Sequence, residues 1–372
     1  MTEDTLVIVQ PSEFSENKTD QLIENIKKIL KIKMLKYTKI FKDDFLICVQ
    51  ADDPVFVSSA IALLFGIKKI VIAKKIKNDF KTIVSEIGKI GTNLLLKGEK
   101  FYVKAEGNSK GFVIKDLELA ATSELIQKNQ KISAKPGTES KHDKLLQIFV
   151  TKSSAYICIF VDEGLGGVAN NSQKQKMVCG LYDEFSAINC LETIKQGFEI
   201  QVMVCYETRE NLIHLVKILD KILPRMLKSE VELEFLMMQK FSKNSDGMVT
   251  KISHITDVLI KFAKKKKISY LGIAVSPLIF PSEFLQYLQK RIFTQGLIPH
   301  ISLAGIDNGI LGNAKEIGLE KYLGAIDKLA KMKFSKTKTK NISKQKSSNK
   351  TIKVKLGPNN VHTILDSLEI EH

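Results

Sequence analysis

From residue 176 onward, short apolar runs alternate with helical stripes, and this alternation restricts the possible fold more than any other feature of the chain. Strands are expected at Lys176–Cys179, Glu199–Tyr206, Glu230–Met237 and Ser269–Val275. Amphipathic helices lie between them, marked by Leu212, Leu215, Val216, Ile218 and Leu219, and by Ile252, Ile255, Val258, Leu259 and Phe262. Strands that alternate with helices build a parallel, doubly wound sheet whose ligand crevice opens at the carboxyl ends of the strands. The first strand-to-helix junction reads Cys179-Gly180-Leu181-Tyr182-Asp183-Glu184 and follows a glycine hinge at Gly164, Gly166 and Gly167. Phosphates bind at such junctions because free backbone amides and the positive helix end point at the ligand, and close approach requires small residues. Here one glycine is followed by a bulky Leu-Tyr pair and two carboxylates. Asp183 also reads as an ordinary helix cap.

At 372 residues the chain should hold two or three domains, each able to bury an ordinary core. Its longest apolar run, Pro54 to Ile67, is short of the roughly 20 residues that cross a bilayer. No secretory leader is apparent in Met1–Gln10, so a cytoplasmic protein without membrane contact is expected. Five scattered cysteines, Cys48, Cys158, Cys179, Cys190 and Cys205, form neither a CxxC pair nor a zinc spacing, and no metal is expected. Buried reduced thiols are the plain reading; Cys179, at a strand mouth beside a helix start, is the one candidate for a lowered pKa. The net charge of +16 favours polyanions, and nucleic acid is the economical partner.

The N-terminal order is strand (Thr5–Gln10), helix (stripe Leu22, Ile26, Ile29, Leu30), strand (Asp44–Gln50), helix (Val55–Phe65) and strand (Lys69–Ala73). It fits a ferredoxin-like α+β unit over residues 1–76. Lys68, Lys69, Lys74 and Lys75 flank its last strand, either as solvated edge residues or as a rim facing RNA. Residues 77–168 form a second unit: helix Phe80–Leu96, strand Lys100–Ala105, a glycine-bearing turn, helix Lys115–Lys128, and strands Lys144–Thr151 and Ala155–Val161 at hairpin spacing. Lys97, Lys100, Lys104, Lys110 and Lys115 gather around its first strand and turn as candidate phosphate contacts. RNP-type aromatics are missing, so a folded RNA read by shape and backbone is expected.

The stretch FYVKAEGNSKGFVIKDLELAATSELI, followed by a hairpin ending in DEGLGG, resembles a THUMP domain, an RNA-binding module of tRNA-modifying enzymes. ALLFGIKKIVIAKKIKNDFKTIVSEI before it is similar to the ferredoxin-like domain of the tRNA 4-thiouridine synthetase and thiamine-biosynthesis sulfurtransferase family. The resemblance implies that residues 172–330 are a PP-loop ATP pyrophosphatase-like domain, giving ferredoxin-like and THUMP domains of α+β type followed by a doubly wound α/β domain. It also implies ATP and magnesium as cofactors wherever the loop still works.

The family's loop is Ser-Gly-Gly-x-Asp-Ser; the resemblance sets Cys179 at the first serine, Gly180 and Leu181 at the glycines, Asp183 at the aspartate and Glu184 at the last serine. A Glu184 carboxylate about 4 Å from a phosphate would cost on the order of 4 kcal/mol at an effective dielectric near 20, or about a thousandfold in affinity. The family's acidic Gly-Glu-Ser element is replaced by Ile273-Ala274-Val275-Ser276-Pro277-Leu278. In the later segment GIDNGILGNAKEIGLEKYL, Gly305 and Asp307 match, while Asn308 stands in place of a charge-neutralising lysine. No cysteine follows Cys205, so the family's sulfur-carrying cysteine is missing.

Residues 331–372 form a lysine-rich tail, a solvated linker or a cationic arm, in which Lys353–His372 regains enough apolar residues to dock as a short strand and helix. Three functional readings fit these residues. One is a tRNA-binding adaptor for a modification carried out by a separate enzyme or sulfur donor. Another is an active tRNA sulfurtransferase with a diverged loop, and the third is an α/β scaffold without RNA. Oligomeric state is left open.

Overall fold

The computed structural model describes residues 5–305, 308–332, 334 and 349–369. It divides into two compact units, one ending at Gly167 and the other starting at Val168.

The first unit comprises β1 (Thr5–Pro11), α1 (Thr19–Ile32), β2 (Lys39–Asp43), β3 (Leu46–Gln50), α2 (Pro54–Ile61), β4 (Ile67–Lys77), α3 (Phe80–Leu94), β5 (Lys100–Gly107), α4 (Ile114–Lys128), β6 (Lys135–Pro136), β7 (Lys144–Val150) and β8 (Ser154–Gly166). All eight strands form one sheet in the order β2-β3-β1-β4-β8-β7-β5-β6, antiparallel except where β5 pairs with β6 and β7. The boundary expected at residue 76 falls inside β4, whose Ile76 and Lys77 pair with Ala155 and Ser154 of β8. The expected stripe of α1 is buried, and Asp53 and Asp79 cap α2 and α3 through their carboxylates.

β2 was not expected from the sequence. It is an edge strand with an exposed or half-exposed face throughout, so its apolar signal is weak. A two-residue turn, Asp44-Phe45, joins it to β3, with Asp44 left-handed at φ 59° as aspartate tolerates. Of the three glycines expected as a hinge, Gly164 and Gly166 belong to a strand and Gly167 follows it. β8 runs on to Gly166 because β4 pairs with it along its whole length. A Cβ at Gly164 would come within 2.2 Å of the Ile67 carbonyl oxygen, so glycine serves close strand approach there.

The sheet is rolled. α3 and α4 pack on Val103, Leu146, Ile148 and Ile157, whereas Leu6, Ile8, Leu46, Cys48, Val71, Ala73, Phe149, Tyr156 and Cys158 form a second core that no helix residue joins. Phe45 and Phe149 touch edge-to-face at 6.2 Å, although four inter-strand steps, about 19 Å on a flat sheet, separate β3 from β7. Asp43 closes the roll by accepting hydrogen bonds from Tyr156 Oη, Thr151 Oγ1 (3.0 Å) and Ser153 Oγ (2.9 Å).

The second unit comprises β9 (Lys176–Leu181), α5 (Glu184–Lys195), β10 (Glu199–Tyr206), α6 (Arg209–Ile222), β11 (Glu230–Met237), α7 (Ser245–Lys266), β12 (Tyr270–Gly272), α8 (Ser282–Phe293), β13 (Ile298–His300), α9 (Asn308–Ala314), α10 (Gly324–Ala330), β14 (Asn349–Lys355) and α11 (Asn360–Ser367). Its sheet order is β13-β12-β9-β10-β11-β14, parallel except for β14. The chain runs β9-β10-β11 in one direction and α7 returns it to β12 on the other side of β9, so the topological switch lies between β9 and β12. β12 is shorter than the expected Ser269–Val275 strand. β14 docks antiparallel on β11, setting Lys353 and Lys355 opposite Glu232 and Glu230, which fixes its register by charge as well as by buried Ile352 and Val354. Most of the lysine-rich stretch before β14 lies outside the described residues.

Candidate functional site

The crevice expected at the β9–β12 switch is filled by the chain itself. β9 extends two residues beyond Cys179, so Gly180 and Leu181 are buried strand residues and not loop residues. A Cβ at Gly180 would lie 3.1 Å from Leu259 Cδ1 and 3.4 Å from Ile255 Cγ2. The glycine therefore lets α7 approach the sheet; it does not cradle a phosphate.

The actual bend is Tyr182-Asp183. Asp183 Oδ1 accepts from the Ser186 amide at 2.8 Å, while Ser186 Oγ accepts from the amides of Asp183 (2.9 Å) and Tyr182 (2.8 Å). This capping box satisfies three amides of the kind that bind an anion. Burial raises the Asp183 carboxyl above its ordinary value, opposed by the Ser186 amide and by Lys251. The Tyr182 ring is buried, and its hydroxyl donates to the Ala274 carbonyl at 3.5 Å, across the switch point. Lys251, 5.9 Å from that ring centre, is paired with Glu207 at 2.7 Å.

Glu184 does not face the bend as a bare charge. Its Oε1 lies 2.8 Å from His214 Nε2 on α6, and the His214 ring stands edge-on to Tyr322. Above the bend is a cavity of about 120 Å³, lined by Asp183, Glu184 and Lys328 and by apolar Phe185, Met248 and Leu329. Ligand pockets run from roughly 300 to 1,000 Å³. Ser276 is buried, and its Oγ accepts from the Leu278 amide. Asn308 is exposed at the start of α9; Asp307 lies outside the described residues.

All five cysteines are free and buried. Desolvation pushes the thiols of Cys48 and Cys205 up to about 11 and about 12, and a hydrogen bond with Cys179 together with burial raises Cys190. Cys179 points into the core, toward Thr193 Oγ1 at 3.9 Å, and offers no accessible nucleophile. Among the described residues no group of three or more His, Cys, Asp or Glu side chains could hold a metal.

The candidate RNA lysines of the first unit divide sharply. Lys68, Lys97, Lys100 and Lys110 are exposed. Lys69 is not on a rim: it is buried, donates to Gln147 Oε1 at 3.0 Å and lies 3.6 Å from Glu106. Alternation along β4 turns it inward. Lys74, Lys104 and Lys115 are neutralised by Glu86, Glu139 and Glu118 at 2.7, 2.8 and 2.9 Å, and Lys75 stacks 5.3 Å from the Phe41 ring. Lys110 enters a cavity of about 400 Å³ with Asn78, Ser109, Phe80, Phe112 and Lys152. The sequence reading missed Lys152 and Asn78, although the glycine-bearing turn after β5 and the β7–β8 hairpin gave two of the three connections that meet there, the third being the β4–α3 junction that carries Asn78.

No protein-family model and no curated protein matches the chain. Solved structures do. PH1313 from Pyrococcus horikoshii Ot3 superposes with a TM-score of 0.62 at 18% identity, covering 85% of this chain and 100% of that one. A 4-thiouridine synthetase solved with RNA and bound ATP gives 0.62 at 16% identity, covering 87% of each chain. The fold is thus mixed α/β with two mixed sheets and similar to that of a 4-thiouridine synthetase. No helix among the described residues is long and apolar enough to cross a membrane.

Proposed function

We propose that this protein binds tRNA, or another folded RNA, through its first unit and serves tRNA modification as an adaptor, the chemistry being supplied by a separate enzyme or sulfur donor in the cytoplasm. The observation that carries the reading is the bend at Tyr182-Asp183. A chain whose fold follows a synthetase solved with RNA and ATP has its bend amides bonded internally and its switch point plugged by a buried tyrosine. ATP and magnesium have no seat there on this reading. The RNA side rests on the excess of lysine and on the 400 Å³ cavity, where Lys110 and Lys152 suit a phosphate and Phe80 and Phe112 suit an unpaired base.

Radiolabelled ATP with tRNA and a sulfide source tests the division of labour. The expected result is tRNA retention, weakening with salt by a log–log slope of at least about 0.7 per phosphate contact, without AMP release. AMP release that disappears in Asp183→Ala would replace the adaptor by an active sulfurtransferase. Salt-independent or absent tRNA binding would leave the scaffold reading.

A further inference from the structure

Between residues 27 and 42 the chain reads KKILKIKMLKYTKIFK, with seven lysines and no carboxylate. The structure puts the last turn of α1, the connection 33–38 and edge strand β2 on one continuous stretch of backbone whose Lys31, Lys33, Lys36 and Lys39 are all exposed. None of the four has an ion-pair partner among the described residues, unlike Lys74, Lys104 and Lys115 of the same unit. The end of α1 favours cations through its dipole, but Lys36 and Lys39 lie beyond it.

Two exposed side chains with apolar or aromatic faces interrupt the strip. Met34 is 89% exposed and held left-handed at φ 55°, and Tyr37 is 38% exposed. The left-handed turn at Met34 ends α1, with the Leu35 amide donating to the Leu30 carbonyl at 2.9 Å, and it leaves the methionine side chain in solvent beside the lysines. Lysines act as point charges for phosphates, and exposed apolar or aromatic faces take unpaired bases.

We propose that this strip binds the phosphodiester backbone of RNA, with Tyr37 and Met34 receiving the face of an unpaired base. It rests on the RNA-binding reading above and adds a contact surface on α1 and β2 to the lysines around β5.

Fluorescence anisotropy with the full-length protein and an unmodified tRNA transcript over a salt series tests it. The triple variant K31E/K33E/K36E should bind at least about tenfold more weakly, with a salt slope shallower by about 2, three lost contacts at ~0.7 each. K31Q/K33Q/K36Q, which adds no acid to the helix end, should move the same way by less. Tyr37→Ala should lose about fivefold or more at every salt concentration with the slope unchanged. Folded triple variants that bind within twofold of the parent with the parent's slope would overturn the strip and leave RNA binding intact. A parent protein that does not retain tRNA would overturn both, and one that prefers polyglutamate or phosphatidylserine vesicles to tRNA at equal charge would assign the strip to another partner.

Discussion

The bend between β9 and α5 has the shape of an anion seat with its amides already engaged, whereas the end of α1 has the charge and no walls. At the bend, geometry survives because every participant is also core or cap: Gly180 admits α7, Tyr182 fills the switch point and Ser186 ties the turn. At the α1–β2 strip, lysines on open surface cost the fold almost nothing, so charge can accumulate there. Shape alone is therefore weak grounds for a ligand when the backbone donors are spoken for, and uncompensated charge is the better pointer.

The comparison breaks most easily at Tyr182. Tyr182→Ala should lower stability by about 3 to 5 kcal/mol, seen as a lower urea midpoint, while the folded variant keeps its tRNA affinity; a fall in RNA affinity would join the two regions functionally. Tyr156→Phe leaves Asp43 without one donor in a half-buried setting and should cost about 1 to 3 kcal/mol, seen again as a lower urea midpoint.

Asp183→Ala removes a cap and should cost about 1 kcal/mol. Asp183→Asn keeps the cap and sharpens the test through pH. Because burial raises the folded carboxyl above its ordinary 3.8, the folded chain holds a proton that the unfolded chain releases. Stability from this group is full below the ordinary value and falls as pH rises through the raised one. The variant's urea midpoint should gain on the parent's between pH 4 and pH 8, and a constant difference would refute the assignment. The smallest effect belongs to Lys104→Ala and Lys115→Ala. Their charges are already met by Glu139 and Glu118, so tRNA affinity should shift by no more than about twofold.

Much of the second unit was legible because buried parallel strands and amphipathic helices leave strong periodic signals: Glu199–Tyr206 and Glu230–Met237 match β10 and β11 to the residue. The first β-strand of that unit was read two residues short because Gly180 resembles a turn residue, while its role, space for α7, depends on a helix some 75 residues later. β2 was missed for the opposite reason, an edge strand with hardly a buried residue. The capping box at Asp183 and Ser186 was half visible, since aspartate before a helix is a local signal but the serine's reach back to two amides is not. Lys69 was misjudged because its flank in sequence shows nothing of the alternation that buries it. The lysine strip at 27–42 stood in plain view as a run without acids and was passed over for the lysines nearer the THUMP-like stretch.

The rolled sheet has a consequence for how this protein emerges from the ribosome. The inner face of β1, β3 and β4 is sealed only when Phe149, Tyr156 and Cys158 arrive, and β4 finds its long partner only once residue 166 has been made. At about 5 to 20 residues per second, synthesis from residue 77 to 166 takes roughly 4 to 18 s. During that interval Leu6, Ile8, Val71 and Ala73 face solvent on an unfinished sheet, and a nascent-chain chaperone has its longest opportunity there.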